Sequence, residues 1–212
     1  TKKGDSSFFP KINSKKMDQA LSQKFQKRRD VNIERLNKVS LPIARSHKVE
    51  EIYRRILGGG TRIITLRPTV RHIDYIQSRT ISNVSFPINF AVLNGCASIA
   101  KGSKLVLESM KLLTEKGLDR FFKLHIFGGL STEIRNEILS FDNVIYHGPY
   151  NVNELNMILD EIEVGIIPSV WEEVYGYVGL EFLAKGIPII GNKKGGIVDY
   201  TIDGFTGWIN QN

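Results

Sequence analysis

The stretch VGIIPSVWEEVYGYVGLEFLAKGIPII, residues 164–190, decides the fold. Val164–Ile167 is a short apolar strand stopped by Pro168, Val178–Lys185 carries a helical pattern closed by Gly186, and Pro188–Ile190 is apolar again. Strand, helix and strand at this spacing form a crossover unit whose strands lie parallel. The alternation continues upstream. Ile88–Leu93, Lys123–Phe127 and Val144–Tyr146 read as strands, with helices over Ser103–Lys116, Ser131–Ser140 and Asn153–Leu159 between them. Downstream, a helix over Gly196–Ile202 leads to a last extended piece near Trp208. The pattern predicts an α/β domain built on a doubly wound parallel sheet, in which ligands collect at the carboxyl ends of the strands.

The front of the chain reads differently. Residues 1–14 are polar and show no period, whereas Lys15 to about Val39 repeats Met17, Ala20, Leu21, Phe25, Ile33 and Leu36 at helical spacing among basic residues. Residues 39–45 are a short apolar piece, Ser46 is placed to cap a helix from His47 to Leu57, and Arg62–Leu66 reads as a short strand. The stretch from Thr69 to Pro87 has no firm pattern and suits a connector. Two parts are therefore expected: residues 1–75, a basic helical and strand segment, and residues 76–212, the sheet domain.

Charge divides along the same line. The net charge of +7 is carried by the first 50 residues, where thirteen Lys and Arg stand against five Asp and Glu. Such a front could touch anionic lipid, a phosphorylated acceptor or nucleic acid, although a solvated helix face accounts for it equally. The single cysteine, Cys96, excludes an internal disulfide and fits a reducing compartment. No apolar run approaches the roughly 18 residues of a membrane span, and the first residues lack the apolar core of a signal peptide.

Four loops after the strands carry the chemistry. Asn94–Gly102 is a run of small residues with one cation, Lys101, ahead of a helix. Small residues let an anion approach the backbone and the helix amides, and the lysine supplies counter-charge. His125-Ile126-Phe127-Gly128-Gly129 allows close backbone approach at a strand end, and a plain tight turn explains it as well. In Pro168–Glu181, Gly176 separates Glu173 in the loop from Glu181 in the first turns of the helix. Two carboxylates then face one cleft with a helix amide end between them, a layout that suits a ligand with hydroxyl-rich ends and a diphosphate centre. Gly191–Gly196 is a further glycine turn with two lysines. Each loop alone also has an ordinary structural explanation.

The string Pro168-Ser169, Trp171-Glu172-Glu173, Tyr175-Gly176, Leu180-Glu181, Ala184, Gly186-Ile187-Pro188-Ile189-Ile190, Gly195-Gly196, Asp203-Gly204 and Thr206-Gly207 resembles a known signature. It is that of the C-terminal, donor-binding domain of GT-B fold, family 4 retaining glycosyltransferases, over about residues 88–209. Weaker similarity over residues 33–74 resembles the last helix, strand and connector of that family's N-terminal domain. The resemblance implies a Rossmann-like domain that binds a UDP or GDP sugar as substrate, with no cofactor and no metal. Glu173 and Lys101 are the implied catalytic residues, Glu173 on the transferred sugar and Lys101 on the diphosphate. Glu181 is the implied ribose ligand. Gly95, Gly128, Tyr150 near the base, and Tyr175, Gly176 and Tyr177 by their amides complete the implied donor site.

The implied partners are a nucleotide sugar and a glycan or lipid-linked acceptor. The expected location is cytoplasmic, with peripheral contact at the inner face of the membrane and no nucleic-acid partner. Two departures stand out. The family commonly has Gly-Arg before the lysine, but here Gly95 is followed by Cys96 and no Arg precedes Lys101 in this loop. Most of a first domain is also missing from 212 residues, so a piece of a longer protein is expected, inactive in transfer by itself. A catalytically degenerate scaffold, a basic lipid- or nucleic-acid-binding module and a nucleotide-sugar epimerase are the competing readings.

Overall fold

A computed structural model describes residues 19–58, 60–81 and 84–211. The chain divides into two compact units at the Arg67–Pro68 bond. In the first unit, α1 (Gln19–Asn37) is followed by β1 (Ile43–Ala44), α2 (His47–Leu57) and β2 (Ile64–Thr65). The two short strands pair in parallel, Ile43 opposite Ile64. Helix α2 begins where the sequence placed it, because the Ser46 hydroxyl accepts from the Val49 amide. The expected loop over residues 1–14 and the helix start at Lys15 lie outside the described residues. Among the described side chains of α1, the apolar face its spacing suggests is at most half-buried, at Ile33 and Leu36. From residue 22 onward none of its positions is buried, and Phe25 is 56% exposed. No described helix is long and apolar enough to cross a membrane.

The second unit holds six strands: β3 (Ile88–Leu93), β4 (Phe122–Phe127), β5 (Val144–Gly148), β6 (Val164–Ile167), β7 (Ile189–Asn192) and β8 (Gly207–Asn210). All are parallel, in the order β5-β4-β3-β6-β7-β8. This is the doubly wound arrangement expected, with chain direction across the sheet reversing between β3 and β6. Helices α3 (Ser103–Glu115) and α4 (Arg135–Ile138) follow β3 and β4, while α5 (Leu155–Leu159) and α6 (Tyr177–Lys185) follow β5 and β6.

The strands alternate between two cores. Ala91, Leu93, Phe127, Ile167 and Ile189 pack with Leu155, Leu159 and Phe182. Val92, Leu124 and Ile126 pack with Val106, Leu107, Met110, Ile134 and Ile138. A parallel sheet covered in this way requires strands that are apolar on both faces, which is why Phe90–Leu93 and Val164–Ile167 read as continuous apolar runs.

Two expected helices are shorter than their patterns. The one over Ser131–Ser140 is reduced to Arg135–Ile138, preceded by a tight turn in which the Ile134 amide bonds the Ser131 carbonyl at 3.3 Å. The one over Gly196–Ile202 is a 3-10 turn, Gly195–Asp199, which starts from a left-handed Gly195 (φ 53°). Residues 68–75 group with the second unit, where the 3-10 turn Arg71–Tyr75 packs on α6.

Phe182 is fully buried, and Gly165 on β6 has no room for a side chain because the Phe182 ring occupies that space. Phe182→Ala should therefore cost about 3–5 kcal/mol, read by denaturant unfolding of the protein.

Candidate functional site

The loops that follow β3 and β6, residues 94–102 and 168–176, meet above the point where the strand order reverses. The Val170 amide donates to the Ala100 carbonyl at 3.1 Å. Gly95 and Gly102 both lie against Pro168 so closely that a Cβ at either would collide with it. Gly102 is also left-handed (φ 101°), so glycine is required there on two counts. The small residues of the first loop thus serve the packing of one loop on the other, and Gly95 in addition lines the cleft between them.

Glu173 stands on the second loop, 8% exposed. Its Oε1 accepts from Lys101 Nζ at 2.6 Å, Ser169 Oγ at 2.6 Å and Trp171 Nε1 at 2.8 Å. The Lys101 ammonium also lies 4.8 Å from the Trp171 ring centroid. Behind the loop, the Gly195 amide donates to Glu172 Oε2 and the Gly196 amide to the Glu173 carbonyl. Burial is the strongest single influence on the Glu173 carboxyl and pushes it up. The three donors and the Lys101 charge together outweigh burial and hold it below the ordinary carboxylate value.

The cleft has a volume of about 440 Å³, and Asn94, Gly95, Lys101, Ser169, Trp171, Glu173, Tyr175, Gly176 and Tyr177 line it. Helix α6 starts at its edge after the left-handed Gly176 (φ 80°), and no side chain caps it. The ring of Tyr175 is buried edge-on against Tyr200, whose hydroxyl donates to the Gly176 carbonyl at 2.9 Å.

The two carboxylates do not face one cleft as expected: Glu181 is the fifth residue of α6, more than a turn past the helix start, and does not line it. It is 6% exposed. Its Oε1 lies 2.7 Å from His72 Nε2, and its buried Oε2 has no hydrogen-bond partner among the described residues. Burial drives its carboxyl above the ordinary value, and the bond and charge of His72 oppose this only in part. Tyr150 shares these surroundings. Its hydroxyl is pushed up chiefly by burial and further by the Glu181 charge, and it accepts from Asn94 Nδ2 at 3.2 Å. Asn94 itself is left-handed (φ 55°), a conformation asparagine tolerates better than most residues. Gly128 (φ 90°) leaves room beside its amide group, where a side chain would strike Asn94 Oδ1.

The nine residues marked by the sequence thus fall into two neighbouring groups. Lys101, Glu173, Gly95, Tyr175, Gly176 and Tyr177 share the cleft. Glu181 and Tyr150 form the other group, and Asn94, which lines the cleft, bonds Tyr150 and lies against Gly128, joins the two. Sequence reasoning passed over Asn94, Ser169 and His72. Asn94 and Ser169 sit inside loops already singled out, so their polar side chains at strand ends were a usable signal. His72 carried none, being 109 residues from its partner in a patternless stretch.

His125, expected at a strand end, is internal to β4. It sits opposite Ala91, with Nδ1 3.0 Å from His147 Nε2. Burial lowers both imidazoles, and the pair repels a second proton. Burial pushes the Cys96 thiol up to about 12, which leaves it inert. Among the described residues no three His, Cys, Asp or Glu side chains cluster as a metal would require.

Residues 89–212 match the family described as Glycosyl transferases group 1. Over 114 residues, half of this chain, the sequence is 30% identical to a D-inositol 3-phosphate glycosyltransferase from Arthrobacter sp. (strain FB24). The match spans 27% of that enzyme. Among solved structures, sucrose-phosphate synthase from Thermosynechococcus elongatus superposes with a TM-score of 0.71 at 19% identity, covering 87% of this chain and 48% of that one. Anabaena Alr3699/HepE in complex with UDP and glucose gives a TM-score of 0.68 at 14% identity, covering 88% of this chain and 53% of that one. At such identities the structural likeness speaks for the fold, a Rossmann-like domain of the GT-B type. The profile match covers more than half of the chain and runs through both loops of the cleft, and on that ground the chain belongs to the glycosyl transferases group 1 family.

Proposed function

We propose that this chain is the donor-binding half of a retaining, metal-independent family 4 glycosyltransferase. In this reading the intact protein moves a sugar from a UDP or GDP sugar to a glycan or lipid-linked acceptor at the cytoplasmic face of the membrane, in cell-surface glycan synthesis. One observation carries the reading. At the strand-order reversal, a carboxylate and an ammonium are held 2.6 Å apart beside the uncapped start of α6, and a second buried carboxylate nearby has an oxygen without a partner.

Each part has a chemical use. An ammonium has three donors, of which Glu173 takes one, so Lys101 can reach a phosphate without abandoning the pair. Together with the amide end of α6 it offsets charge developing on a departing nucleoside diphosphate. Glu173 spends Oε1 on three protein donors, leaving Oε2 to accept from sugar hydroxyls. Glu181 Oε2, buried and unpaired, is costly unless a ligand supplies a donor, and ribose hydroxyls are suitable ones. Lys101 is the cation of the cleft lining, which fits a site that works without the arginine the family commonly carries in this loop.

Calorimetric titration of the intact protein with UDP, GDP and their glucose and mannose conjugates should show binding to one nucleotide series. A folded protein that binds none of them would remove the basis of the proposal. Lys101→Ala and Glu173→Gln should each lower transfer to a glycan acceptor at least a hundredfold, measured as nucleoside diphosphate release.

The two carboxylates should also answer pH in opposite senses. Glu173 is depressed in the fold, so its stabilising contribution is present above the unfolded carboxylate value and is lost as pH falls through its lower folded value. Glu181 is raised, so its burial cost is present at neutral pH and is relieved as pH falls through its higher folded value. At pH 7.5, differential scanning fluorimetry without ligand should show Glu173→Gln melting below the parent and Glu181→Gln at or above it. Both differences should shrink toward pH 4.

A further inference from the structure

The connector that follows Pro68 is fastened to the sheet domain rather than draped over it. Asn156 donates to the Tyr75 carbonyl at 2.6 Å and accepts from the Gln77 amide at 2.8 Å. Its Oδ1 is also 3.3 Å from the ammonium of Lys185, a side chain only 3% exposed that pairs with Asp160 at 2.7 Å. Four residues past Gln77 the strap is still engaged. The Arg79 amide donates to the Lys185 carbonyl at 2.9 Å, its guanidinium bonds the Ile162 carbonyl, and Ile76 and Ile81 pack on the core beneath α6.

This strap fixes where the turn Arg71–Tyr75 sits, and with it the imidazole of His72. The other end of the contact is equally fixed. Glu181 lies on α6 one turn before Lys185, the residue that anchors the strap. Two rigid elements therefore hold His72 Nε2 and Glu181 Oε1 at 2.7 Å, and the other carboxylate oxygen is left buried without a partner. A carboxylate with one oxygen tied to protein and one unspent is an oriented acceptor, and a supporting hydrogen bond on the first oxygen fixes the direction of the second.

We infer that His72, from the connector, is a positioning residue for the donor site: it ties Glu181 Oε1 so that Oε2 is presented to the hydroxyls of the bound nucleoside. This rests on the reading of Glu181 as a donor-binding group. The titratable groups set against Glu181 are His72 from the connector and Tyr150 from the loop after β5, while Lys185 on its own helix is engaged with Asp160. Of these only His72 favours the ionised, accepting form, so its loss should let Glu181 take a proton at higher pH and weaken nucleotide binding there.

The test is calorimetry of the intact protein with UDP and GDP from pH 5.5 to 8.5, on the parent and on His72→Phe, His72→Gln, Glu181→Gln and the His72→Phe/Glu181→Gln double variant. For the nucleotide that binds, His72→Phe should weaken affinity about tenfold at pH 7.5. His72→Gln, which keeps a side-chain donor, should recover most of that loss. In both variants the acid-side fall in affinity should move to higher pH. In the Glu181→Gln background, His72→Phe should add less than about twofold. Unchanged affinity in His72→Phe, or an equal penalty in the double variant, would overturn the positioning role while Glu181→Gln still reports on the donor site. Full affinity in Glu181→Gln, or binding of neither nucleotide by the parent, would overturn both readings. Should His72→Phe fail to fold, the pH shift in His72→Gln decides.

Discussion

Everything in the second unit is arranged around the pairing of β3 with β6, where Phe90 meets Val164 and Ala91 meets Gly165. These are the two strands from which the chain winds outward in opposite directions. The loops leaving them are therefore neither neighbours in sequence nor covered by a helix crossing between them, and a crevice is the geometric result. Its walls are brought together by contacts that tolerate no side chain, Gly102 on the Pro168 carbonyl and Gly95 on the Pro168 ring. The ion pair of Lys101 and Glu173 spans this seam, one partner from each loop.

Much of this was readable in the sequence, for a physical reason. Strands covered on both faces must be largely apolar, so Ile88–Leu93, with Asn89 its one polar residue, and Val164–Ile167 announced themselves with their observed bounds. Lys101 and Glu173 could be singled out as charged residues in glycine-containing loops that follow strands, and the structure brings the two together. Helices with little intrinsic pattern were overestimated. Around Ser131 and Gly196 the chain instead forms tight i→i+3 turns, Ile134 on Ser131 and Ile197 on Lys194, while the Ser131 and Gly196 amides anchor those turns to Cys96 and Glu173. The pairing of Glu181 with His72 could not be read at all, because it depends on which side of α6 the connector passes.

The two carboxylates show how differently a protein can bury the same group. Glu173 is satisfied by three donors on one oxygen and rests comfortably in its charged form. Glu181 has a single partner and resists ionisation. Its Oε2 is buried without a partner among the described residues, on a helix that also carries the fully buried Phe182. Such local imperfection is tolerated where a ligand completes the bonding, and it lies at the carboxyl side of the sheet, where α/β proteins bind theirs.

The strap of residues 71–81 bears on how such chains can be divided and recombined. By composition the seam between the units is loosest after residue 75, in a stretch without pattern. By hydrogen bonding, Tyr75, Gln77 and Arg79 already belong to the sheet domain. A chimera joined at the seam the sequence suggests would inherit α6 from one parent and the imidazole facing it from another. The exchangeable module begins at Pro68, and a graft that respects this border carries the surroundings of Glu181 with it intact.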